Sequence, residues 1–248
     1  MEVVAIVNRK GGVGKTATAH ALGAGLKRKR KSVLYIDLDS QTNLTYGLGA
    51  NTQPNSMEVL TGDISAEEAI QTTEQGDIIA GTEALAGADA VIEGVGKEYR
   101  LKEAIEGLNY DYIIIDTPAA LGTLTVNALT AAHKVVIPVQ ADIYSLQAIG
   151  QLKTSIEAVK KYANHDLSID GILITRFNGR AVLSRDMQAN LDDAAQMLNT
   201  RLYDTPIREC ISIKEAQAYR QDIFTYAPKS NAAKDYEAFI KDFTKGRR

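Results

Sequence analysis

The chain has 248 residues, 45% hydrophobic and 24% charged, with a formal net charge of −3, and that length suits a single α/β domain over residues 1–248 better than two small ones. The slight negative charge excludes a globally basic nucleic-acid binder, so any DNA contact must come from a local patch. A single cysteine, Cys210, excludes an internal disulfide and a Cys-x-x-Cys metal site, and the absence of a signal-peptide pattern or a bilayer-length apolar run leads us to expect a cytoplasmic protein.

The first apolar run, Val3–Val7, reads as a strand and leads into Arg9-Lys10-Gly11-Gly12-Val13-Gly14-Lys15-Thr16. Glycines at 11, 12 and 14 let the backbone turn its N–H groups toward phosphate oxygens, and the N-terminus of the helix that follows adds its positive dipole end. Lys15 would then reach the β- and γ-phosphates, and Thr16 would give its hydroxyl to Mg²⁺. Arg9 stands where the strict phosphate-loop pattern wants glycine. Lys10 comes too early to share the cradle with Lys15 without crowding it, so it needs another task.

A helix is expected over Ala17–Lys29, ending in the densest charge run of the chain, Lys27-Arg28-Lys29-Arg30-Lys31. That run suits either a solvated helix terminus, where cations complement the dipole, or a phosphate-contacting patch. The next strand, Ser32–Ile36, runs into Asp37-Leu38-Asp39-Ser40-Gln41 and places two carboxylates at a strand end. Gly47–Ser56 has the composition of a mobile insertion, and Asp77–Ala80 reads as a further strand. After a helical segment at Leu101–Leu108, the strand Tyr112–Ile115 feeds Asp116 in the manner of a Walker B strand. Three strand-end aspartates and a phosphate loop in one sheet point to Mg²⁺ and ATP.

Helical Leu124–Ala132, strand Val135–Val139, helical Leu146–Tyr162, strand Ile169–Thr175 and helical Ser184–Asn199 complete the alternation. It predicts a doubly wound, mostly parallel sheet flanked by helices, P-loop NTPase-like, with ligands at the carboxyl ends of the strands. His20, His133 and His165 fit no metal spacing. Near the C-terminus, Tyr236, Phe239, Ile240 and Phe243 fall at helical spacing with Lys241, Lys245, Arg247 and Arg248 nearby. Such a helix docks on the core or lies on a membrane surface. Asp235, Glu237 and Asp242 would repel an anionic bilayer, so core docking and no stable membrane association are expected.

The loop resembles the deviant Walker A loop of the ParA/MinD superfamily, and the likeness to ParA-type partition ATPases extends over nearly the whole chain. It includes Asp111–Pro118, Val135–Gln140, Gly171–Arg180 and Glu215-Ala216. The resemblance implies an ATPase, slow without its partner, that binds ATP and Mg²⁺ through Lys10, Gly11, Gly12, Val13, Gly14, Lys15, Thr16, Ala17, Asp37 and Asp116. In that family the extra lysine, here Lys10, reaches the partner subunit's nucleotide, so an ATP-dependent sandwich homodimer is implied. The residue matching Asp39 positions or activates the attacking water and, with the one matching Asp116, holds the Mg²⁺ shell through water, and Asp37 organises the loop.

The resemblance further implies nonspecific double-stranded DNA as a ligand of the dimer, nucleoid association in the ATP state, and hydrolysis stimulated by a ParB-type centromere-binding protein. Arg180 matches a family DNA contact, with Arg208, Lys214 and Arg220 as possible neighbours. Two departures stand out. The family's Asp-Pro-Gln-Gly is here Asp39-Ser40-Gln41-Thr42, which predicts a more flexible loop, and Ser212 replaces an arginine that some members use for DNA. The nitrogenase iron proteins share the loop, but a lone Cys210 cannot supply their cluster ligands. A MinD-like membrane-cycling ATPase and a P-loop ATP-dependent ligase are the alternatives.

Overall fold

Strands and helices follow the apolar runs closely in the computed structural model, which describes residues 1–179 and 182–245. The strands are β1 (Glu2–Ile6), β2 (Val33–Asp37), β3 (Gln71–Thr73), β4 (Gly76–Ile79), β5 (Tyr112–Asp116), β6 (Lys134–Gln140) and β7 (Ser168–Thr175). They form one sheet in the order β3-β4-β2-β5-β1-β6-β7, parallel throughout except where β3 pairs antiparallel with β4.

The helices are α1 (Lys15–Arg28), α2 (Asn43–Leu48), α3 (Ser56–Thr61), α4 (Ala66–Ala69), α5 (Ala88–Val91), α6 (Arg100–Ala104), α7 (Thr123–Ala131), α8 (Ile143–Tyr162), α9 (Val182–Met197), α10 (Ile211–Ala218), α11 (Ile223–Tyr226) and α12 (Asn231–Lys245). Both faces of the sheet are covered, which is why its central strands are apolar without interruption. Val3 and Ala5 of β1 face a core shared with α3 to α9, whereas Val4 and Ile6 face a second core shared with α1, α2, α10, α11 and α12.

In the second core α1 and α12 approach so closely that a Cβ on Gly25 would lie 2.3 Å from Ile240 Cδ1. The apolar side chains of α12, Tyr236, Phe239, Ile240 and Phe243, are all buried. The last helix therefore docks on the core.

Register sets up the functional end of the sheet. β5 lies between β1 and β2 with Asp116 opposite both Ile6 and Asp37, so the loops after β1 and β2 leave on either side of Asp116. Beyond β2 the chain is more ordered than its composition predicts. Asn55 closes a capping box on α3, Gln71 Nε2 donates to the carbonyls of Asn51 and Pro54, and Ser56 Oγ donates to Asp37 O at 2.8 Å. These bonds fasten residues 51–56 to the end of β2. No helix of the described residues is long and apolar enough to cross a membrane.

Candidate functional site

The loop after β1 is held from behind by polar side chains at neighbouring strand ends. Buried Asn8 donates from Nδ2 to Pro138 O at 2.6 Å and accepts the Lys10 amide at 2.9 Å. Gln140 Nε2 donates to Gly12 O at 3.0 Å, Thr175 Oγ1 to Val13 O at 2.7 Å, and Lys15 Nζ to Lys10 O at 3.4 Å. With three carbonyls tied back in this way, the amide side of the loop is the side left for a ligand. Gly12 and Gly14 sit at φ of 73° and 84°, in the left-handed region where a side chain is strained. Gly14 caps α1 without a side-chain bond and the first turn carries no acid, so the helix start stays open to an anion.

A cavity of about 830 Å³ opens on this loop, within the range of sites that enclose a small ligand. Gly11, Gly12, Gly14, Lys15, Thr16 and Ala17 line one end. Burial lowers the Lys15 pKa, with Asp116 and Asp39 opposing the shift. Asp39 also lines the cavity; its Oδ1 accepts the Gln41 amide at 3.0 Å, and its carbonyl accepts the Thr42 amide at 2.9 Å. The loop after Asp39 is thus hydrogen-bonded. Thr42 adopts φ 52°, left-handed backbone that a β-branched residue rarely takes, at the position of the family's glycine.

The other two aspartates lie behind the cavity wall. Asp37 is fully buried and accepts the Asp39 amide at 3.0 Å, the Thr45 amide at 2.9 Å and the Thr45 hydroxyl at 2.7 Å. Burial raises its pKa to about 6 despite those bonds. Asp116 is buried, and neither carboxylate oxygen has a partner in good hydrogen-bond geometry, the Thr16 hydroxyl being the polar group nearest to serving as one. Its pKa lies well above the usual carboxylate range, first from burial and then from the charge of Asp37, with the Thr16 hydroxyl and then Lys15 pulling the other way. A buried carboxylate left unpartnered costs roughly 1–3 kcal/mol or more, so its presence beside a phosphate loop fits a hard cation reached through water. Among the described residues no three His, Cys, Asp or Glu side chains form a metal cluster, so such a cation would take most of its ligands from water and phosphate.

Lys10 does not line the cavity. Its ammonium pairs with Asp142, the N-cap of α8, lies 3.4 Å from Gln140 Oε1, and stands over the Tyr144 ring at 6.0 Å. Arg9, where the strict motif has glycine, reaches Gln151.

The basic residues expected near DNA are dispersed. Arg208 is bound to Asp235, through its amide at 3.0 Å, Nε at 2.8 Å and Nη2 at 2.6 Å. Lys214 lines the nucleotide-loop cavity, and the Arg220 guanidinium lies over the Tyr46 ring at 4.5 Å. Arg180 lies outside the described residues. Sequence reasoning missed the far wall of the cavity, formed by Ile207, Glu209, Cys210, Ile213 and Gln217, and the supports Asn8, Gln140 and Thr175. Polar residues closing apolar strands were the available signal for Gln140 and Thr175.

Comparison with known proteins agrees with this geometry. An AAA domain family model matches residues 1–169. The sporulation initiation inhibitor protein Soj of Bacillus subtilis is 39% identical, over 97% of both chains. The chromosome partitioning protein ParA of Myxococcus xanthus is 34% identical, over 98% of this chain and 88% of its own. Among solved structures, a cobyrinic acid a,c-diamide synthase from Mycobacterium smegmatis with bound ADP and magnesium is 33% identical, with a TM-score of 0.84 over 99% of this chain and 94% of that one. A putative plasmid partition protein from Borrelia burgdorferi bound to AMPPNP is 25% identical, with a TM-score of 0.84 over 98% of both chains. The phosphate loop with its second lysine, the three strand-end aspartates and near full-length identity to Soj and ParA place the chain in the ParA-type partition ATPase family of the ParA/MinD superfamily.

Proposed function

We propose that the chain is a single-domain partition ATPase that binds Mg²⁺-ATP in the 830 Å³ cavity, dimerises around two nucleotides, binds duplex DNA without sequence preference, and is reset by hydrolysis that a ParB-type partner stimulates. One observation carries the reading: the buried Asp116 carboxylate, poorly satisfied by the protein and close to the Thr16 hydroxyl and Lys15, beside a loop whose carbonyl side is tied to the protein. Lys15 and the loop amides would hold the β- and γ-phosphates, and Thr16 and Asp116 would hold the cation, Asp116 through water. Bound Mg²⁺ supplies neutralisation of phosphate charge. Asp39, on the cavity wall, would orient the attacking water, and Asp37 keeps the Asp39 loop in place. Lys10 would exchange Asp142 for the partner's nucleotide. A cytoplasmic location, with nucleoid association in the ATP state, follows from the same reading.

Three variants test it. Lys15→Ala is expected to abolish ATP binding. Lys10→Ala is expected to bind ATP as a monomer but form no ATP-dependent dimer. Asp39→Ala is expected to dimerise yet barely hydrolyse. Equal loss of affinity in the two lysine variants, measured by calorimetry, would refute the division of labour. The ligase alternative, which has the cobyrinic-acid-synthase likeness in its favour, requires ATP consumption to depend on a carboxylate acceptor; DNA- and partner-stimulated hydrolysis without one excludes it.

A further inference from the structure

A second cavity, of about 590 Å³, lies between the C-terminal turn of α1 and the solvent face of α12. Arg28, Lys29, Lys234 and Lys241 line it, with Glu237 as its one acidic residue. All four cations are exposed, and none makes an ion pair among the described residues. Two other cations of the basic run are already engaged: Lys27 donates to Gln75 O at 2.6 Å and Lys31 pairs with Asp111 at 3.3 Å. Arg28 is steadied over the Phe224 ring at 4.9 Å.

We infer that this groove holds the phosphate backbone of duplex DNA. The inference rests on the proposal that the ATP-bound dimer takes DNA, and it names the surface. Of the other candidate cations, Arg208 is held by Asp235, while Lys214, beside the nucleotide loop, and Arg220, over Tyr46, stand singly rather than in a cluster of four. Lys234 and Lys241 stand two turns apart on one face of α12, roughly 10.5 Å along the helix. Cations spread over two helices and open to solvent suit an extended polyanion better than a single small anion. A bilayer would need an apolar face to insert, and the apolar side of α12 is buried against α1 and the sheet.

The test uses the full chain with ATP and Mg²⁺, a random-sequence 60-base-pair duplex followed by fluorescence anisotropy at several salt concentrations, and the variant Arg28→Gln/Lys29→Gln/Lys234→Gln/Lys241→Gln. The variant is expected to bind at least tenfold more weakly while its ATP-dependent dimer, read by size exclusion, is unchanged. Each contact contributes about 0.9 to the slope of log affinity on log salt, so Lys234→Gln alone should flatten it by about 2 in a dimer that engages both copies. Glu237→Gln should tighten binding, a gain that misfolding cannot imitate, and Lys160→Gln/Lys161→Gln, on distant α8, should match wild type. If wild type binds DNA and the fourfold variant binds equally well with the same slope, the groove is wrong and the DNA reading stands. A wild-type dimer that ignores DNA overturns both. Binding instead to anionic phosphatidylglycerol vesicles, lost in the fourfold variant, would give the groove to a lipid surface and overturn the DNA assignment.

Discussion

Replacing Phe239 by Ala tests whether α12 belongs to the core or to a membrane surface. Phe239 is 1% exposed, packs edge-on to Tyr203 with ring centroids 4.8 Å apart, and touches Phe243 at 6.2 Å. Truncating a buried phenylalanine to alanine costs about 3–5 kcal/mol through lost transfer energy and the cavity left behind. For a chain of this size each kcal/mol lowers Tm by roughly 2–4 °C, so a fall of about 6–20 °C is expected in a calorimetric or circular-dichroism melt. Deleting the whole segment from Asp235 onward is a poorer probe. It removes Tyr236, Phe239, Ile240 and Phe243, at about 1.5–3 kcal/mol each, which approaches the whole stability of an ordinary domain. A melt for Phe239→Ala within about 2 °C of wild type, combined with loss of ATP-dependent cosedimentation with anionic vesicles, would refute the core assignment and favour a MinD-like membrane cycle.

Gln140→Ala removes the bond to Gly12 O and the contact with the Lys10 ammonium; at about 1 kcal/mol for a neutral hydrogen bond, calorimetry should show ATP affinity weakened roughly fivefold, and wild-type affinity would show that the loop needs no such support. His20 is buried, with a pKa lowered by desolvation against the opposing Gln75 bond and Asp222 charge. Its folded-state pKa lies below its unfolded one, so its contribution is present above about pH 6.5 and is lost as pH falls toward the folded value. Urea denaturation at pH 7 and pH 5 should therefore show a smaller acid loss for His20→Gln than for wild type; equal losses would remove His20 from the acid response.

How legible the site was depended on how local each cue is. The phosphate loop, its helix and the strands leading to Asp37 and Asp116 could be foreseen because apolar runs and glycine spacing are local properties of the chain. β3 could not, since Gln71-Thr72-Thr73 is a polar edge strand that forms only by turning back on β4. The supports of the loop depend on strand order. Gln140 and Thr175 reach Gly12 and Val13 because β6 lies beside β1 and β7 beside β6, adjacencies that no window of sequence contains. Lys214 and Arg208 show the same limit from the other side: both read as neighbours of a DNA contact, yet one lines the nucleotide-loop cavity and the other is held by Asp235.

The position of Lys10 bears on how a nucleotide could govern assembly. In a single subunit its charge is met by Asp142, with side chains 26% and 30% exposed, and an ion pair that open to water is worth about 0–1 kcal/mol. A charge-assisted bond to a phosphate oxygen contributes about 1.5–3 kcal/mol. Moving Lys10 from Asp142 to the partner's nucleotide is therefore favourable only where phosphate charge awaits it. In the proposed symmetric dimer the move would occur twice, so a difference of about 1–2 kcal/mol per lysine would become about 2–4 kcal/mol per dimer, roughly 30- to 1,000-fold in the association constant. On that proposal, loss of the γ-phosphate would remove the difference, and Asp142, which pairs with Lys10 in the single chain, is placed to take the lysine back.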